Sequence, residues 1–74
     1  MNPFKVGDRV SFNAITSTRG FPLAIGKIVG KHTVSMTGTV EHLHSGSCVV
    51  RMDDFPALAP EINVVNLQQV QEEQ

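Results

Sequence analysis

Two short segments constrain the fold of this chain more than anything else in it. They are Lys5-Val-Gly-Asp-Arg-Val-Ser-Phe12 and Gly38-Thr-Val-Glu-His-Leu-His-Ser-Gly-Ser-Cys-Val-Val-Arg-Met-Asp-Asp54. In both, apolar residues recur two apart beside glycine-containing turn residues, the period of strands with one buried face. Val10 and Phe12 alternate with Arg9 and Ser11 after a tight Gly7-Asp8 turn. The pattern predicts an all-β fold: a small barrel of five or six antiparallel strands, two long loops and a short helical turn near the C-terminus. Val10, Phe12, Ile28, Val40, Val50, Met52, Val64 and Leu67 are the expected core.

At 74 residues the chain makes one domain, read here as residues 1–70 followed by a frayed polar tail over 71–74. A chain of this size buries only about 60% of its unfolded surface, so its core is thin. Cys48 is the only cysteine, which rules out a disulfide within one chain. The start has no apolar signal segment, and no apolar run reaches the roughly 20 residues of a membrane-spanning helix. A lone thiol without a signal points to a reducing cytoplasm.

Between the two signatures the reading is less regular. Asn13 to Pro22 is rich in Thr, Ser and Gly and reads as an exposed excursion. Over Leu23 to Met36 a helical stripe competes with strand, but Gly26 and Gly30 would each cost a helix about 1 kcal/mol, so strand is preferred. Gly30-Lys31 suits a two-residue hairpin turn. For the later hairpin, a three-residue loop Ser45-Gly46-Ser47 sets His44 against Cys48, His42 against Val50, Val40 against Met52, Glu41 against Arg51 and Leu43 against Val49. That register gathers Val40, Val50 and Met52 inside and an opposite-charge pair outside. Asp54 to Pro60 carries two prolines and reads as a loop. Ile62-Asn-Val-Val returns to strand, and Asn66-Leu-Gln-Gln suits one helical turn.

A Val-Gly-Asp-Arg-Val opening, a Gly38-Thr-Val strand, a strand ending Val-Arg-Met-Asp-Asp54 and a closing turn with Leu67 and Val70 together resemble the SH3-like barrels. Gly-Asp-x-Val and Gly-Thr-Val are similar to the KOW-type modules of ribosomal and transcription proteins. Gly26-Lys-Ile-Val-Gly30 and the Gly-Asp-Arg-Val start are similar to the plasmid-encoded type II dihydrofolate reductases. In that family the active segment reads Val-Gln-Ile-Tyr; here the corresponding residues are Ile62-Asn63-Val64-Val65. The resemblance is at the level of fold, which hosts many functions.

Six Lys and Arg stand against seven Asp and Glu, without the basic excess typical of nucleic-acid binders. Lys5, Arg9, Arg19, Lys27 and Lys31 nonetheless cluster in the first half and form the candidate nucleic-acid surface. His42 and His44, on one side of a strand, with Cys48 across from them, are the weak candidates for a metal cluster; no cofactor is expected. Gly20-Phe-Pro-Leu-Ala24 echoes Asp54-Phe-Pro-Ala-Leu-Ala59, which nominates Arg19, Phe21, Pro22, Phe55 and Pro56 as a partner-binding ledge. No catalytic constellation, P-loop or dinucleotide fingerprint is present. The expectation is a non-enzymatic binding module acting through protein contacts. A KOW-like nucleic-acid binder is the alternative, and an oligomeric reductase-like enzyme the second alternative. Leu43 and Val49, sent outward by the chosen register, mark the expected interface of a homodimer or higher homo-oligomer.

Overall fold

The computed structural model describes residues 2–26 and 33–70. Lys27, Ile28, Val29, the turn expected at Gly30-Lys31, His32 and residues 71–74 lie outside the described residues. Six strands follow in order: β1 (Arg9–Thr16), β2 (Pro22–Ile25), β3 (Thr33–Leu43), β4 (Ser47–Met52), β5 (Glu61–Asn63) and β6 (Gln68–Gln69). A 3-10 turn over Val64–Asn66 separates the last two. All pairings are antiparallel, in the order β2-β1-β3-β4-β5, and β6 returns to β1 to draw the sheet into a nearly closed barrel. This is the expected all-β architecture. Among the described residues no helix is long and apolar enough to cross a membrane.

β1 organises the barrel through its alternation. Val10, Phe12 and Ala14 point inward and are buried, while Arg9, Ser11 and Asn13 do not. The odd-numbered residues turn their backbone groups to the edge away from β3: Arg9 O accepts from Val70 N at 2.9 Å and Asn13 O from Gly26 N at 3.0 Å. One edge of β1 therefore serves β6 in its first half and β2 in its second. Val10, Phe12, Val40, Val50, Met52 and Leu67 are buried as expected. Phe4, Ala14, Met36, Cys48 and Ile62 join them, and Val64 is half-buried against the cluster.

Three expectations are corrected. Half of the Asn13–Pro22 excursion is strand: β1 continues through Thr16, with Ala14 fully buried, and β2 begins at Pro22, while Ser17 to Phe21 forms a turn. Alanine satisfies the interior period where a larger residue would have signalled it. The helical turn comes two residues earlier than predicted. Val64 leaves the strand because its N–H donates to Gly46 O at 3.0 Å, and Leu67 N–H then donates to Val64 O.

The hairpin register also differs. Leu43 faces Cys48 and His42 faces Val49, with His44 N–H donating to Ser47 O, so the loop is the two residues Ser45-Gly46. The register shifts between Val40 and His42, which sets Val40 opposite Val50, Thr39 opposite Arg51 and Gly38 opposite Met52 in place of the expected pairs. Glu41 is thus the extra residue of a bulge. The bulge lets a two-residue loop coexist with an apolar inner face, a combination that an unbroken ladder forbids.

Gly38 marks the tightest approach in the sheet. A Cβ there would sit 2.5 Å from Arg51 O and 2.6 Å from Val50 Cγ1. Because one obstacle is central-strand backbone, Gly38→Ala should destabilise the protein by about 2–3 kcal/mol. Urea unfolding followed by β-sheet circular dichroism checks this; a loss below about 0.5 kcal/mol would contradict it.

Candidate functional site

At the end of the barrel near Thr16 and Met52, two loops meet over the core. The first is the turn linking β1 to β2. Ser17 N–H donates to Phe21 O at 2.8 Å, Gly20 N–H to Ser17 O at 2.9 Å, and Phe21 N–H to Ser17 Oγ at 3.1 Å. Gly20 holds φ of 84°, a left-handed conformation suited to glycine. Phe21 is thereby fixed at the turn exit, 47% exposed.

The second loop spans residues 53–60. Asp53 N–H donates to Thr37 O, Leu58 N–H to Phe55 O, and the Arg51 guanidinium to Pro56 O at 2.9 Å. Leu58 O and Pro60 O accept from Met52 and Val50, so residues 58–60 run beside β4 in the register of β5. The two loops join where Phe21 meets Phe55 edge to face, with centroids 5.4 Å apart and planes at 78°, an arrangement favoured by the ring quadrupoles.

Beside this contact lies an apolar cleft of about 370 Å³, lined by Phe21, Pro22, Ile25, Met52, Leu58, Ala59 and Pro60. Of the predicted ledge, Phe21 and Pro22 line the cleft and Phe55 supports it, half-buried against the core. Pro56 is exposed, and Arg19 is exposed on the turn two residues before Phe21. Leu58, Ala59 and Pro60 belong to the Asp54–Pro60 loop and were not singled out in it; the Ala-Leu-Ala-Pro60 run gives that loop a strand-like edge beside β4. Ile25 and Met52 were not singled out as site residues, and no local motif marks them.

The other predicted groups do not converge in the way expected. Strand pairing puts Cys48 on the face of Leu43, so its neighbours His42 and His44 project from the opposite face. Cys48 is fully buried, with Sγ beside the Asn2 amide, while both histidines are exposed. No metal-binding group of His, Cys, Asp or Glu forms among the described residues. The same register separates Leu43, 41% exposed, from half-buried Val49. Of the five clustered cations, Lys27 and Lys31 lie outside the described residues, Lys5 and Arg19 are exposed, and Arg9 is engaged with Asp53.

That engagement is the main charged feature of the outer face. Arg9 binds both Asp53 oxygens and donates to Thr39 Oγ1 at 2.9 Å, while Thr37 Oγ1 donates to Asp53 at 2.6 Å. The Arg9 bond, then the Thr37 bond, pull the Asp53 carboxyl down to about 2. A second pair sets the Arg51 guanidinium on Glu41 at 2.8 and 3.1 Å, which lowers the Glu41 carboxyl and raises Arg51. No protein-family model, curated protein or solved structure matches the chain.

Asp53 fastens the start of the second loop to β1 and β3, so its titration reads out that attachment. Its folded value lies below the ordinary 3.8, so the stabilisation is fully present above about pH 4 and is lost as pH falls through about 2. Both side chains are about one-third exposed, so solvent screening reduces the effect to about 1 kcal/mol. Asp53→Asn should lose about that much stability at pH 7, with the gap to wild type closing by pH 2. Urea midpoints across pH 2–7 test this; a gap independent of pH would contradict it.

Proposed function

We propose that this chain is a non-enzymatic binding module that holds a segment of a protein partner in the cleft between its two loops. The observation carrying this reading is the Phe21–Phe55 contact, which joins the loops into one apolar surface left open at the barrel end. A partly exposed aromatic on a hydrogen-bonded turn makes a low-entropy anchor, the residue type that dominates interface energetics. The volume falls at the small end of ligand sites, about 300–1,000 Å³, so a few partner residues would fill it. A reducing cytoplasm suits the unpaired, buried Cys48 thiol.

Random seven-residue peptides displayed on phage should yield binders that shift the amide resonances of Phe21, Leu58 and Ala59. Their affinity should change less than threefold between 50 and 200 mM salt. Phe21→Ser should weaken binding at least tenfold, with little change in the unfolding midpoint because the ring is half exposed. Failure to select any such peptide would overturn the reading. Oligonucleotide binding that weakens by roughly 100-fold or more over the same salt range would instead establish the nucleic-acid alternative. Dihydrofolate reduction by an NADPH-binding tetramer would establish the enzyme.

A further inference from the structure

We infer that the cleft takes its partner as an added β-strand: an extended, uncharged, apolar segment that fills an open seam between two strand edges. This rests on the reading of the cleft as a protein-binding site and specifies how that site recognises its ligand. Along the sheet, β2 and β5 are the two end strands, and β6 with Val70 closes the barrel beside Arg9, Val10 and Ser11. At the opposite end of β1 nothing described bridges β2 to the 58–60 segment. The cleft lies between them.

Both borders of this seam present backbone groups. Gly26 N–H donates to Asn13 O, so Asn13 and Gly26 form a hydrogen-bonded pair and Ala14 and Ile25 the next, non-bonded one. Alternation then turns the Ile25 N–H and C=O away from β1, toward the open edge. Across the seam, Leu58 and Pro60 direct their carbonyls to β4, so Ala59 between them directs its N–H and C=O the other way. No hydrogen bond reaches either Ala59 group among the described residues. Two facing edges whose outward donors and acceptors meet no partner among the described residues, above an apolar floor, are the requirements for strand addition.

Charge defines the occupant. Among the described residues no charged side chain lines the cleft. Arg51 is held by Glu41 and Pro56 O, and Arg9 and Asp53 hold each other. Arg19 and Asp54, exposed and of opposite sign, stand close to Phe21 and Phe55 in the chain and together add no net charge. The complementary segment is therefore uncharged where it enters. With only one outward residue at Ala59, the bonded part is about three residues, or roughly 10 Å of extended chain.

Hydrogen exchange measured by NMR, with a phage-selected seven-residue peptide as the probe, tests the inference. At saturation the Ile25 and Ala59 amides should both slow at least tenfold. N-methylation of a central peptide amide should weaken binding at least tenfold. A peptide that shifts Phe21 and Leu58, leaves both amides exchanging as before and tolerates N-methylation would overturn strand addition while leaving the binding-module reading intact. Absence of any selected binder would remove both. Protection already present in dilute free protein would show that the chain fills its own seam. Protection that grows with protein concentration alone would show that a second copy does; either result overturns the inference.

Discussion

The barrel depends on the double use of one strand. β1 sends the side chains of Val10, Phe12 and Ala14 into the core and shares its backbone with three partners: β3 on one edge, β6 and β2 in succession on the other. An eight-residue strand has room for two short neighbours on one edge only if both are brief. β2 has four residues and β6 has two. The brevity of these strands is thus a consequence of the arrangement, and among the described residues it leaves the barrel closed at one end and open at the other. The N-terminal segment reinforces the closed end. Asn2 donates to His44 O at 2.9 Å and Ser47 O at 3.0 Å, so the N-terminal segment is pinned to the β3–β4 hairpin.

What was legible in the sequence follows from how strongly each element marks its period. Val10 and Phe12, and Val50 and Met52, announce buried faces because large apolar residues alternate with polar ones. Asn13-Ala-Ile-Thr16 carries the same alternation with alanine inside and isoleucine half-buried outside, so its polarity reads as loop although its geometry is strand. The bulge at Glu41 leaves no compositional trace. Both registers satisfy the pairing of Glu41 with Arg51, because a bulged glutamate still reaches the guanidinium at 2.8 Å. The electrostatic clue that favoured one register was equally compatible with the other. Face assignment, on which the Leu43, Val49 and His/Cys readings depended, turns entirely on that one residue.

The ledge was legible for a different reason. Two copies of a Phe-Pro motif, each next to a small or apolar residue, mark places where the chain turns away from a sheet while keeping an aromatic at hand. The phenylalanines meet as the repeat suggested. The repeat could not show that Pro56 would surrender its carbonyl to Arg51, nor that Ala59 and Pro60 would line up with β4. Those contacts join residues brought together by the register of β3, β4 and β5, which no local pattern encodes.

An open seam carries a hazard as well as a use, because unpaired edges template indiscriminate association. Here the hazard is limited by length and by chemistry. Residues 58–60 offer a single outward-facing residue, and β2 begins with Pro22, which has no N–H to give. The aromatic contact at one end and the buried Gly26 at the other bound the space along the strand direction. A long flat strand from an arbitrary chain would therefore gain few bonds, whereas under the proposed strand addition a short segment with a suitable apolar side chain would gain both backbone bonds and contact with Phe21. Selectivity in such a site comes from the floor, while orientation comes from the edges. The same brevity of β2 and β6 that leaves the barrel incomplete keeps its incompleteness specific.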